Sequence, residues 1–156
     1  MTFADHLPIL PIIIPALAAP IALLAMRRQR GLGIAISLVS CLALLGTALA
    51  LMARVGDGTI LAYAVGDWPA PFGIVLVADR LAAMMLVLTA TLALLALLHA
   101  LVTRADRKGW HFHPLFQFQL MGLNGAFLTG DLFNLFVFFE VLLIASYGLM
   151  LHGQGP

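Results

Sequence analysis

The chain has 156 residues, 63% of them hydrophobic and only 10% charged, with a net charge of +1 when the histidines are neutral. A soluble domain is typically about 45–50% apolar and about 25% charged, and a globule of this size leaves roughly 30% of its unfolded surface exposed. The composition therefore excludes a soluble monomer, and its hydrophobicity excludes a disordered chain.

What remains is an integral membrane protein with room for five or six helices of about 20 residues. The near-neutral charge carries no nucleic-acid footprint. The single cysteine, Cys41, lies in an apolar run and cannot form an internal disulfide.

Sparse charges divide the chain into five apolar runs, and the reading is one all-α membrane domain over residues 1–156. The first, Leu7–Met26, is uncharged and holds four prolines, Pro8, Pro11, Pro15 and Pro20. Its basic residues follow the apolar stretch, which suits an N-out anchor better than a cleaved signal peptide. Leu32–Ala53 is uncharged over 22 residues, about 33 Å of helix. The segment Arg54–Asp79 is the longest stretch outside the runs. Two β-prone segments, Ile60–Val65 and Phe72–Val77, flank Gly66-Asp67-Trp68-Pro69, so a short hairpin on the outer surface competes with an irregular loop. Trp68 and Phe72 are placed to touch lipid headgroups.

The third run is Leu81–Val102, with Asp79 and Arg80 starting it and His99 near its end. Pro114–Gly130 and Leu132–Leu151 follow, separated only by Asp131. As one helix they would reach about 57 Å, against a hydrocarbon core of about 30 Å. A tight helical hairpin at Thr129-Gly130-Asp131 is the better reading, with Gly130 ending one helix and Asp131 capping the next. Arg27, Arg28, Arg30, Arg104, Arg107 and Lys108 fall on one side of five alternating spans, and only Arg54 and Arg80 on the other. That bias predicts N-out, C-in.

Glu140 stands near the middle of the fifth run, among Phe138, Phe139, Val141 and Leu142. An acidic group at a helix centre costs about 2.5–3.5 kcal/mol on insertion scales. It must either be neutral or be held ionised by a cation on another helix. A carboxyl poised between those states is what an intramembrane proton relay needs. The bland alternative is a protonated side chain that only aids packing. The carboxyl is expected to face other helices, and one pointing into lipid would favour the packing alternative.

The other polar groups point to less. Gln117, Gln119 and Asn124 suit interhelical hydrogen bonds of about 0.6 kcal/mol each. His111 and His113 form an H-x-H pair, too few ligands for zinc. No cofactor or metal site is expected, and no phosphate loop, dinucleotide fingerprint or nucleophile elbow occurs. The expectation is a transporter component, not an enzyme of soluble type.

The segments GDWPAPFGIVLVADRL (Gly66–Leu81) and FHPLFQFQLMGLNGAFLTGDLFNLFVFFEVLLIASYGLMLHG (Phe112–Gly153) resemble the D subunit of Mrp-type multisubunit Na⁺/H⁺ antiporters. Weaker forms of the second resemble the antiporter-like subunits of respiratory NADH:quinone oxidoreductase and of membrane-bound hydrogenases. The resemblance runs from Leu7 to Gly153.

It implies a subunit of about fourteen spanning helices, against five at about 20 residues each here. It also implies a core of two inverted five-helix repeats, of which this chain holds three leading helices and the first two helices of one repeat. Glu140 matches the family's fifth-helix glutamate, thought to bind protons more tightly when a lysine of the seventh helix withdraws. That lysine has no counterpart in this chain. Tyr147, Asp131 and Asp79–Leu81 carry over only as markers of the fold.

The implied function is a component of a monovalent cation/proton antiporter, inactive on its own, with Glu140 as proton acceptor and donor. The implied partners are the other antiporter subunits, the bilayer of a bacterial inner membrane, protons and a cation for which Na⁺ is the first expectation. Two alternatives stand beside it. One is a proton-translocating subunit of a dehydrogenase or hydrogenase complex. The other is a structural or assembly fragment without transport.

Overall fold

The computed structural model describes residues 3–68 and 72–153, with side chains from His6 onward. Among them are five α-helices and one β-hairpin, preceded by a 3-10 segment, Phe3–Ile9. The helices are α1 (Leu10–Arg28), α2 (Arg30–Val55), α3 (Arg80–Val102), α4 (Phe112–Leu128) and α5 (Leu132–Met150). The strands β1 (Leu61–Ala64) and β2 (Val75–Ala78) lie between α2 and α3.

Every helix falls on an expected run, with ends displaced by at most three residues. Among the described residues, four segments are long and apolar enough to cross a membrane: His6–Arg28, Arg30–Val55, Arg80–Val102 and Leu132–Met150. At 17 residues α4 spans about 26 Å, short of the hydrocarbon core.

The ends of these helices follow from local chemistry. Asp79 caps α3 by accepting from the Ala82 N–H at 2.7 Å, and Asp131 caps α5 by accepting from the Asn134 N–H at 2.7 Å. Each occupies one of the N–H groups that a helix start leaves free. The Thr129-Gly130-Asp131 turn is present, but α4 ends at Leu128 and is closed by Thr129, not by Gly130 as expected.

Successive helices alternate in direction, and α4 packs between α1 and α5 while α2 packs against α1 and α3. The α1–α2 junction and the α3–α4 loop meet at one end, where Arg30 Nη2 donates to the Arg107 carbonyl at 3.4 Å. This basic end also holds Arg27, Arg28, Arg104 and Lys108. The hairpin and the α4–α5 turn occupy the opposite end.

The hairpin pairs Leu61 with Ala78 and Ala64 with Val75. It is more than a surface flap. Leu76 and Ala78 alternate inward and are fully buried, because β2 also carries the α4–α5 turn. The Gly130 N–H donates to the Val75 carbonyl at 2.8 Å, and Leu76 bridges to Thr129. Gly66 (φ +70°) and Asp67 (φ +57°) form the left-handed bend between the strands, at residue types that tolerate it. Trp68 and Phe72 are exposed at 65% and 86%. Pro69, the last residue of the expected turn, lies outside the described residues.

Small residues set the packing inside the bundle. The buried face of α3 is Ala82, Ala83, Leu86, Ala90, Ala93, Leu97 and Ala100, at helical spacing, while leucines such as Leu88, Leu92 and Leu95 point outward. Alanine lets backbones approach, which is how membrane helices gain contact where lipid is as apolar as leucine. Pro15 has no N–H to give the Pro11 carbonyl one turn earlier. Asn124 of α4 supplies the missing donor, its Nδ2 lying 2.8 Å from that oxygen.

Candidate functional site

Glu140 lies on α5, two and a half turns beyond the Asp131 cap. The position of α5 is set by glycines. A Cβ on Gly122 of α4 would lie 2.8 Å from the backbone nitrogen of Leu142, and one on Gly125 would strike the Phe138 ring. On the other helix, a Cβ on Gly148 would meet Leu115 at 2.9 Å. These contacts turn Asn134, Phe138 and Ala145 inward.

The opposite face of α5 carries Glu140, with Phe133, Phe136, Val137, Leu143, Ile144 and Tyr147 around it, all exposed. Glu140 was expected to face other helices. Among the described residues no helix covers it, and its carboxyl has neither an ion-pair nor a hydrogen-bond partner.

Asn124 and Gln117 of α4 face the other way, into α1 and α2. Asn124 reaches Pro11, and Gln117 Oε1 accepts from Ser40 Oγ at 2.8 Å. Gln119 makes no such bond, and its Oε1 is buried without a partner. His99 and His111 are exposed. His113, the other half of the H-x-H pair, is fully buried. Its Nδ1 lies 3.0 Å from Ser37 Oγ, and its Nε2 lies 3.8 Å from Oδ2 of Asp106, itself buried in the 3-10 turn Ala105–Lys108. Asp106 was not singled out from the sequence. Its only signal there is an acid in a basic loop seven residues before a histidine. No group of three or more His, Cys, Asp or Glu side chains suited to a metal occurs among the described residues.

The Asp131 carboxylate accepts from the backbone N–H and side chain of Asn134, which hold it below the usual carboxylate range. That is the behaviour of a helix cap, not of a group poised to take up protons.

No protein-family model matches the chain. Among curated proteins it is 53% identical over 157 aligned positions to a Rhizobium meliloti protein named as the D subunit of a probable K⁺/H⁺ antiporter, covering 97% of this chain and 29% of that protein. It is 43% identical to the D subunit of the Na⁺/H⁺ antiporter of Alkalihalophilus pseudofirmus, covering 96% and 30%. It is 41% identical to the N subunit of NADH-quinone oxidoreductase of Desulforudis audaxviator, covering 95% and 30%. The structure superposes on a chain of the Mrp complex from Dietzia sp. DQ12-45-1b with a TM-score of 0.84 at 33% identity, covering 97% of this chain and 28% of that one. The chain thus spans about 30% of the length of the curated relatives it matches. It is a multi-pass membrane protein and, over nearly its whole length, a homologue of the D subunit of the Mrp-type multisubunit cation/proton antiporters.

Proposed function

We propose that this chain works as part of a multisubunit monovalent cation/proton antiporter in a bacterial inner membrane, with Glu140 as the intramembrane group that takes up and releases the proton. The observation that carries the reading is similarity along 97% and 96% of the chain to proteins named as D subunits of such antiporters. Those names divide between K⁺ and Na⁺. The proposal is therefore a monovalent cation, of which Na⁺ is one candidate. The chain's 156 residues act as one membrane domain of five spans, N-out and C-in, with α4 crossing a locally thinned or helix-lined region. The basic end lies on the inner side by the positive-inside rule.

Glu140 lies on an uncovered face of α5, contrary to the expectation that it faces other helices, so the proposal requires a further helix to cover it. A carboxyl at a helix centre costs about 2.5–3.5 kcal/mol against lipid, so this face is a poor one to leave to hydrocarbon. A covering helix that brings a cation near Glu140 offsets that cost, and withdrawal of the cation drives proton uptake. The similarity to the N subunit of NADH-quinone oxidoreductase favours a second reading with the same local chemistry. In it, Glu140 translocates protons within a redox-driven complex.

The test is Glu140→Gln in the assembled transporter. Cation-driven proton movement in everted vesicles should vanish while membrane insertion and assembly of the complex persist. Transport at the wild-type rate in that variant overturns the role of Glu140. Proton movement driven by NADH oxidation and indifferent to added cation would select the redox reading.

A further inference from the structure

His113 and Asp106 are placed as no packing role requires. Both are buried, at 0% and 1% exposure, at the basic end of the bundle. Both carboxylate oxygens of Asp106 and the Nε2 of His113 lack hydrogen-bond partners. The 3.8 Å between Nε2 and Oδ2 needs to close by less than about 1 Å to reach hydrogen-bond range.

The Arg30 side chain is committed elsewhere. The Arg30 guanidinium lies over the Trp110 ring, 5.9 Å from its centroid, and donates to the Arg107 carbonyl. Among the described residues, His113 alone lies within ion-pair distance of Asp106. The other ionisable groups on neighbouring elements are His152 beyond α5, whose Nε2 lies 3.2 Å from the Ala105 carbonyl, His99 in the last turn of α3, Arg27 and Arg28 in the last turn of α1, Cys41 on α2, His111 before α4, and Arg104, Arg107 and Lys108 in the loop itself.

A buried carboxylate with no hydrogen bond and no cation is strongly disfavoured, and so is a buried imidazolium with no anion. One proton held between the two groups relieves both. We infer that His113 and Asp106 form a proton-binding dyad, distinct from Glu140, that holds a single proton in common at the basic end.

The proton sits either on Nε2, facing an ionised Asp106, or on Oδ2, accepted by a neutral Nε2. In both forms the pair is neutral overall. Loss of that proton leaves a bare buried carboxylate, and gain of a second leaves an imidazolium facing a neutral acid. Either change weakens the hold of the Ala105–Lys108 turn on α2 and α4. The turn is entered through Arg104 at φ +57°, a conformation that a non-glycine residue keeps only when its surroundings impose it.

The test is solid-state NMR of the full chain in lipid vesicles, with isotope-labelled histidine and aspartate, and with Asp106→Asn and His113→Gln used to assign the two signals. Near neutral pH the unmutated protein should show one proton on the pair: imidazolium with carboxylate, or neutral imidazole with carboxylic acid. A neutral imidazole beside an ionised carboxylate overturns the inference, as does an imidazolium beside a carboxylic acid. If imidazolium with carboxylate is the observed form, Asp106→Asn should lower the midpoint of the His113 titration by about 1–3 pH units. An unmoved midpoint then overturns it. Glu140→Gln should leave the titration unchanged, so the outcome is independent of the function proposed for Glu140. The unmutated readout decides the matter even if a variant fails to fold.

Discussion

Replacing Gly122 with alanine tests whether glycine contacts place the helix that carries Glu140. The added Cβ would sit 2.8 Å from the Leu142 nitrogen and 3.0 Å from its Cα. Carbon atoms rest about 3.5–4.0 Å apart, so the α5 backbone must retreat by about 0.5–1 Å or the two helices must part. The atoms met are backbone, which cannot swing aside as a side chain would. Overpacking of this kind costs about 1–3 kcal/mol.

Alanine also gains about 0.8–1 kcal/mol of helix propensity over glycine, which would mask part of the loss. Gly46 supplies the internal control, since it lies within α2 and a Cβ there meets nothing within 4 Å. The propensity gain is common to both substitutions and cancels in their difference. Gly122→Ala should therefore be less stable than Gly46→Ala by about 1–3 kcal/mol, roughly 5–150-fold in the unfolding equilibrium. Equilibrium unfolding in mixed micelles measures this, and a label pair across α4 and α5 reports the retreat. Equal stability of the two variants to within about 0.5 kcal/mol, with an unchanged interhelix distance, would refute the claim that Gly122 sets the position of α5.

Two further substitutions probe the polar groups that shape the site. Asn124→Leu leaves the Pro11 carbonyl without a donor and should cost about 0.6–1.7 kcal/mol in the same unfolding assay. Asn124→Gln, able to donate from a longer arm, should recover part of it. Asp131→Ala removes the α5 cap and should lower stability by about 0.5–2 kcal/mol, seen as faster hydrogen exchange in the first turn of α5. The Asp131 carboxyl is held below its ordinary range by bonds from Asn134, so its contribution is complete above the unfolded value near pH 3.9. That contribution is lost as pH falls through the lower folded value. Asp131→Asn should keep much of the cap and flatten this acid dependence, whereas a wild-type acid profile in Asp131→Asn would place its origin elsewhere.

Local rules reached far along this chain. Five apolar runs set five helices, and Asp79 and Asp131 announced two helix starts by the same capping chemistry that the structure displays. Glu140 stood out because one carboxyl in a run of apolar residues is costly whatever the fold around it. Which way each helix faces was another matter. The runs are apolar on every side, so hydrophobic periodicity carries little signal, and the inward faces are chosen by size. Alanines at helical spacing on α3, together with Gly122 and Gly125 on α4, allow close approach where leucine would not. Only when α4 meets α5 through those glycines does Glu140 come to lie on the uncovered side.

The meeting of Asp106 with His113 likewise depends on the tertiary structure. The two residues share no helical face, and a 3-10 turn entered through a left-handed Arg104 brings the acid back over the start of α4. Sequence alone determined the membrane character, the helices and the costly carboxyl, because these follow from hydropathy and capping within a turn or two. Tertiary structure decided which polar groups are buried together and which face is open, because those depend on how closely two backbones can approach.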